Sequence, residues 1–466
     1  MLGLNHTLKI KMPTQELVPD MSEITASSEQ ELNPDISQYE LAFKARQELV
    51  NQTLQALKMT HYGQKFATVE SIGSYSEFVT TFPLVLPSRA AEDPKQFAAG
   101  DTDKLIKLYS GGTTGTQKEF YFSDEERVNA SGLGEWGRII LAAEKPLVLY
   151  GEWGGIDAQV AKETTQALRP DVGVYEFKET HDAIEAIAEH DAIFMEMGVM
   201  SYKTFHYQLM EQLAARPELK QQLSGKKIML ELNSEPVTAK MLEEWYADLA
   251  TIFEDEVYIT VSYTQNDTGL IGLYDYVPGE AEEDVKYLVT DKRLVEVLDE
   301  DSNLVVGQEG DVVITTLRQE GSVFFRYDSS DRGVLTSGEN GELYLSGIHR
   351  KAESGMISLW GRKVSVADFY QELETQVSFP FQMEVRPQLS EDNSVMELVF
   401  AIYCQSDDEG IADLKEHFWQ LAEKMIAAED DTTLAQGDVP LDVDVVIRIK
   451  RDTKSNFEKS WKLIKN

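Results

Sequence analysis

The chain has little cysteine, few cations and no long apolar run. Cys404 is the single cysteine among 466 residues, which excludes an internal disulfide and suits a reducing compartment. It sits in the apolar run Leu398–Cys404, so it reads as a buried strand residue rather than a nucleophile. Lysine and arginine number 43 against 81 aspartates and glutamates, a formal charge of −38. A surface that acidic repels nucleic acid and anionic lipid, so neither is an expected partner. No apolar run approaches the roughly 18 residues of a membrane span. No apolar leader segment follows Lys9 and Lys11, and the expected location is cytoplasmic. The seven histidines form no H-E-x-x-H pair, and no G-x-S-x-G elbow occurs; these absences remove a zinc-protease site and a hydrolase triad.

What is present is an ordinary globular composition, 42% apolar and 9% aromatic, in a chain too long for one compact core. Residues 1–33 are polar and uneven and read as an arm. From Ile36, Tyr39, Phe43, Val50, Leu54 and Leu57 fall near one helical face, the mark of a packed helix. Between Leu105 and about Leu345, short β-rich runs alternate with helical segments: Leu105–Tyr109, Leu147–Tyr150, Ala192–Met195, Lys227–Leu232 and Tyr258–Val261. This predicts an α/β domain with mainly parallel sheets. Asp311–Thr316, Ser322–Tyr327 and Gly341–Leu345 predict an antiparallel subdomain. Past Arg350 a helix at Val366–Thr375, strands at Gln382–Arg386, Met396–Cys404 and Val443–Ile449, and a helix through Ile411, Leu414, Phe418, Leu421 and Met425 predict a small α+β domain. The expected division is 1–349 and 350–466.

The segment after Tyr109 concentrates unusual residues: Ser110, Gly111, Gly112, Thr113, Thr114, Gly115, Thr116, Gln117 and Lys118. Glycine lets backbone N–H groups turn toward a ligand, threonine adds hydroxyls and lysine a mobile charge, which together make an anion nest. Gln117 and Glu119 stand where a Walker loop needs Gly and Ser/Thr, so this is a different phosphate loop. The tail concentrates charge of the scarce sign. From Ile447 onward Arg448, Lys450, Arg451, Lys454, Lys459, Lys462 and Lys465 face only Asp452 and Glu458. Either it docks on acidic surface or it carries positive charge to a phosphate.

The loop resembles the phosphate loop of the adenylate-forming enzymes, the acyl-CoA synthetases and their relatives. Four later segments match that family in order. Asn233-Ser234-Glu235-Pro236 resembles the turn that lies along adenine. Tyr263-Thr264-Gln265-Asn266-Asp267 resembles Tyr-Gly-x-Thr-Glu, whose aromatic stacks on adenine and whose acid holds Mg²⁺. Arg326-Tyr327-Asp328-Ser329-Ser330-Asp331 resembles Arg-Tyr-Arg-Thr-Gly-Asp, whose last carboxylate takes both ribose hydroxyls. Arg350 followed by Met356–Gly361 resembles the stretch that joins the two domains. Phe66–Pro83 and Tyr150–Gly155 resemble the phenylacetate–CoA ligase branch, with Tyr150, Trp153 and Tyr202 either lining an aromatic pocket or packing in the core.

The resemblance implies ATP and Mg²⁺ as cofactors. It also implies activation of a small-molecule carboxylic acid to acyl-AMP with release of pyrophosphate, then acyl transfer, coenzyme A being the first expectation. An amine or a carrier-protein thiol is the alternative acceptor. Lys118 and Lys459 are the implied catalytic lysines, with Lys454 and Lys462 still open for the second place. The chain departs from the pattern at several points. Gly111 replaces Ser or Thr, Thr264 replaces Gly, Asn266 and Asp267 replace Thr and Glu, and Glu458 replaces the Gly before the lysine. The usual hinge aspartate is Ser354 or Gly355. These changes leave a non-catalytic nucleotide-binding protein as the other reading.

Overall fold

The computed structural model describes residues 34–109, 119–123, 143–151, 172–177, 180–233, 235–254, 256–279, 285–338, 340–351, 356–359, 362–389, 396–404, 408–427, 443–450 and 461–463. The N-terminal helix α1 runs from Pro34 to Met59 and buries the predicted face, with Tyr39, Phe43, Val50, Leu54 and Leu57 all in the core. Two short helices follow, α2 (Tyr75–Thr81), capped by the Ser74 hydroxyl, and α3 (Pro87–Glu92), which opens on a proline. Strand β1 (Ala98–Ala99) precedes a hairpin of β2 (Ile106–Tyr109) and β3 (Glu119–Phe122). Tyr109 pairs with Glu119 in that hairpin.

A parallel section follows: β4 (Pro146–Gly151), β5 (Gly173–Phe177), helix α4 (Thr180–Ala188), β6 (Ala192–Gly198), helices α5 (Val199–Ala215) and α6 (Glu218–Leu223), β7 (Lys227–Asn233), helix α7 (Ala239–Phe253) and β8 (Val257–Gln265). The chain then turns antiparallel through β9 (Gly269–Tyr276), β10 (Tyr287–Val289), β11 (Arg293–Leu298), β12 (Glu309–Thr316), β13 (Gly321–Ser322), β14 (Tyr327–Ser337) and β15 (Leu343–Arg350). Apart from β13, which pairs with β1, the parallel and antiparallel sections form one 11-stranded sheet in the order β11-β12-β14-β15-β10-β9-β8-β7-β6-β4-β5. The antiparallel part therefore begins at β9, earlier than the sequence patterning predicts. The segment Ser322–Tyr327 is not a strand. Its apolar residues are buried, but Arg326 has φ +57°, and that left-handed residue breaks the extended run between β13 and β14.

The remaining elements are β16 (Met356–Leu359), β17 (Arg362–Ser365), helix α8 (Val366–Glu374), β18 (Phe381–Leu389), β19 (Met396–Cys404), helix α9 (Asp408–Ala427), β20 (Val443–Lys450) and β21 (Trp461–Leu463). They build a separate core around Phe369, Phe400 and Phe418, with Cys404 buried in it. Lys203 of α5 reaches Glu374 of α8 at 2.6 Å, and Tyr207 of α5 packs against this second core. No helix among the described residues is long and apolar enough to cross a membrane.

Candidate active site

Parallel strands present their C-terminal ends on one side of a sheet, where α/β proteins build sites. Asn233 ends β7 there, beside Gly198 of β6, and Glu235 and Pro236 lead from it toward α7. Next along the sheet, β8 carries Tyr263 and Gln265 to the turn that holds Asn266 and Asp267. The antiparallel strands β14 and β15 bring Asp331 opposite Arg350 in register.

These residues converge on Asp331, which is 4% exposed. Its Oδ1 lies 3.0 Å from Arg350 Nη1. Its Oδ2 accepts from the Tyr263 hydroxyl at 2.8 Å and from the Gln265 amide. Arg350 also donates to the Ser329 carbonyl at 3.2 Å. The attraction of Asp331 holds the Arg350 guanidinium above its ordinary range, and burial, with Asp331 adding to it, pushes the Tyr263 hydroxyl well up. Tyr263 keeps only 9% of its surface exposed, with its ring 5.9 Å from that of Tyr287. A second acid lies close by: the Tyr327 hydroxyl donates to Asp267 Oδ2.

The backbone that aims these groups is bent by its own side chains. Ser330, at φ +62°, donates its N–H to Asp328 Oδ1 at 2.8 Å, and the Asp331 N–H donates to Ser329 Oγ at 3.1 Å. Upstream, the Arg326 N–H is caught by Thr315 Oγ1 at 3.0 Å, and its Nε lies 3.2 Å from both carboxylate oxygens of Glu296. Glu296 is fully buried and also accepts from the Tyr75 hydroxyl at 2.7 Å. Burial pushes its carboxyl above the usual range. Downstream, Lys351 Nζ lies 2.8 Å from Asp311 and 2.9 Å from both oxygens of Asp328. Asp328 stands where the resembled motif carries an arginine, so the acid of this chain is matched by a lysine at the end of β15.

Tyr263, Asp267, Asp331 and Arg350 are thus brought together, with Asn233, Glu235 and Pro236 at the end of β7. Ser110, Gly111, Gly112, Thr113, Thr114, Gly115, Lys118, Ser234 and Lys459 lie outside the described residues. Trp461 pairs with Met383 of β18, which puts the chain just past Lys459 on the edge of the small sheet. Of the residues named for an acyl pocket, Trp153 is outside the described residues. Tyr202 is core, fully buried and edge-on to Trp245 at 4.9 Å. Sequence reasoning assigned no role to Gln265, Tyr327, Glu296 or Lys351. The first two were visible inside the quoted motifs; Glu296 lies in an apolar strand with nothing local to mark it.

One carboxylate with hard oxygens fits Mg²⁺, which takes one or two protein ligands and leaves its other positions to phosphate and water. No cluster of three or more metal-binding side chains occurs among the described residues, and such a cage is not what that ion needs. A carboxylate that already accepts from neutral donors fits a vicinal diol equally well.

No protein-family profile and no curated protein sequence matches the chain. Solved structures do. 2-Hydroxyisobutyryl-CoA ligase in the postadenylation state, in complex with R3-HIB-AMP, aligns over 92% of this chain and 92% of its own, at 14% identity and a TM-score of 0.57. The same ligase in the postadenylation state with 2-HIB-AMP covers 93% of this chain and 89% of its own, at 14% identity and a TM-score of 0.57. With 2-HIB-AMP and CoA in the thioesterification state it aligns over 92% of each chain at 15% identity, with a TM-score of 0.51. The chain shares the fold of this CoA ligase.

Proposed function

We propose that the protein activates a carboxylic acid with ATP, forming acyl-AMP and pyrophosphate, and then passes the acyl group to an acceptor. The observation that carries this reading is Asp331, buried between Tyr263, Gln265 and Arg350 with Asp267 on the adjoining turn, in a fold shared with a ligase solved with acyl-AMP. The acid's carboxylate oxygen attacks the α-phosphorus, and the bond to the pyrophosphate oxygen breaks. Asp331 holds the ribose diol, Tyr263 and the Asn233–Pro236 turn border the adenine, and Arg350 stays beside the ribose. Asp267 would hold Mg²⁺, which supplies charge neutralisation on the phosphates when bound. Ser110–Lys118 cradle the β- and γ-phosphates, and Lys459, on a lid formed by residues 350–466, reaches the α-phosphate oxygens. The acceptor is coenzyme A, in keeping with the phenylacetate–CoA ligase-like segments; an amine or a carrier-protein thiol is the alternative.

Acid-dependent exchange of labelled pyrophosphate into ATP, run over a panel of carboxylic acids, tests the first step. Stimulation by one class of acid is expected. Exchange by none of them overturns the reading. The closed set of donors on Asp331 favours a second reading, a nucleotide-binding protein without catalysis, and that protein would bind ATP yet give no exchange.

A further inference from the structure

Two residues past Asp267, Gly269 lines a cavity of about 610 Å³. That is within the roughly 300–1,000 Å³ of small-molecule sites. Its wall belongs to none of the segments assigned above to nucleotide or acid: it includes Thr53 of α1, Phe122 of β3, Thr290, Lys292, Arg293 and Arg318. Three cations on one wall are conspicuous in a chain of formal charge −38. Their placement is also sorted by depth. The wall's acids, Asp291 and Glu320, are exposed, whereas Arg293 and Arg318 are only 4% and 5% exposed.

The two arginines are held as a pair. Both donate an Nη2 hydrogen to the Thr268 carbonyl, Arg318 at 3.1 Å. Arg318 also lies 4.9 Å from the centroid of the Phe122 ring, a stacked contact that orients its plane. Gly269 makes room for the pairing. It has φ +76°, and a Cβ there would stand 2.9 Å from Arg293 Nη2 and 3.3 Å from Phe122 Cε1. Thr290 adds a buried hydroxyl that has no hydrogen-bond partner among the described residues. Two guanidinium forks fixed side by side, with a hydroxyl near them, are the donor set that grips a tetrahedral dianion.

The geometry points to a second anion site here, one that takes the phosphate group of a small phosphorylated metabolite. The cavity is larger than inorganic phosphate alone requires, and its apolar residues Leu49, Leu270 and Leu317 suit the ligand's carbon body. The site stands on its own wall and does not depend on the adenylation reading.

Thermal unfolding of the full chain, titrated with inorganic phosphate and in parallel with glycerol 3-phosphate, tests this, with sodium chloride at matched ionic strength as the control. A saturable rise in midpoint beyond the chloride control is expected. Arg318→Gln should raise the half-saturating concentration by about tenfold, the loss of one charge-assisted bond. Gln319→Glu places a negative charge on an exposed position of the same wall. It should weaken binding in the same direction without disturbing the buried pair, whatever Arg318→Gln does to folding. Gly112→Val, in the phosphate loop, should leave the half-saturating concentration unchanged. A tighter response to glycerol 3-phosphate supports a metabolite, and an equal response supports free phosphate. No rise beyond chloride overturns the site. A half-saturation moved by Gly112→Val but not by Gln319→Glu also overturns it, and assigns the bound phosphate to the loop instead.

Discussion

Asp331 has about four lone-pair positions and three donors already on them, Tyr263, Gln265 and Arg350. A ribose diol brings two donors, so binding it displaces at least one of the three. Tyr263 is the natural one to yield, because turning its hydroxyl away also opens its ring face to a purine. Asp331→Asn keeps one acceptor oxygen and removes the charge. It should weaken ATP binding by about tenfold or more, the scale of a hydrogen bond to a charged group, while the protein still unfolds cooperatively. Calorimetric titration with ATP checks this; unchanged affinity would remove Asp331 from the site. Lys351 gives a prediction in pH. Burial lowers its pKa, but the bonds to Asp311 and Asp328 outweigh that and leave it above the ordinary 10.5. A raised folded-state value means stability that is fully present below about 10.5 and lost as pH rises through the higher folded value. The gap in urea midpoint between the wild type and Lys351→Met should be level from pH 7 to 9 and close above about 10.5. A gap independent of pH would show that the lysine's stem, not its charge, is what matters.

Elements whose residues repeat at a fixed period could be read from the sequence, and elements defined by partners far away could not. Helix α1, the strands β6 and β7 and the pair β18–β19 stand within a few residues of where patterning puts them. Strand β9 was missed because its buried and exposed residues do not alternate, and β11 because six consecutive buried residues, among them Arg293 and Glu296, read as neither period. The charged members of that strand are buried against Arg46, Tyr75 and Arg326, partners from 30 to 247 residues away. For the candidate site, motif order named Tyr263, Asp267, Asp331 and Arg350, which the fold brings together, but no local pattern could show that Tyr327 caps Asp267. The β2–β3 hairpin carries its own prediction. If residues 110–118 hold phosphate through their backbone N–H groups, Gly112→Val should abolish pyrophosphate exchange more completely than Lys118→Ala, which removes one charge. The reverse order of activities would contradict the nest reading of this loop.

The described residues hold three hydrophobic clusters, two of them on the large sheet and the third around Phe369, Phe400 and Phe418. Arg350 and Lys351 are tied to Asp331, Asp328 and Asp311 of the large sheet. If Lys459 acts in the first half-reaction and a different pose serves the second, two variants should separate the steps. Lys459→Ala should nearly abolish acyl-AMP formation yet still transfer an acyl group from supplied acyl-AMP. Gly355→Pro should do the opposite. Equal damage to both half-reactions in both variants would exclude a moving second domain.

Helix α1 has a consequence for how the protein is made. Its Tyr39 hydroxyl is bonded to the Val295 carbonyl, and Arg46 to the carbonyls of Arg293 and Gly341, partners 256, 247 and 295 residues downstream. A ribosome adding roughly 5–20 residues per second exposes this helix many seconds before its seat in β11 exists. This helix is thus docked long after it emerges, and for that interval Tyr39, Phe43 and Leu54 stand in water as an open apolar stripe. Chaperone holdases that scan nascent chains for such stripes should find α1 early, and a circular permutant beginning after Met59 and ending with α1 should be released from them sooner.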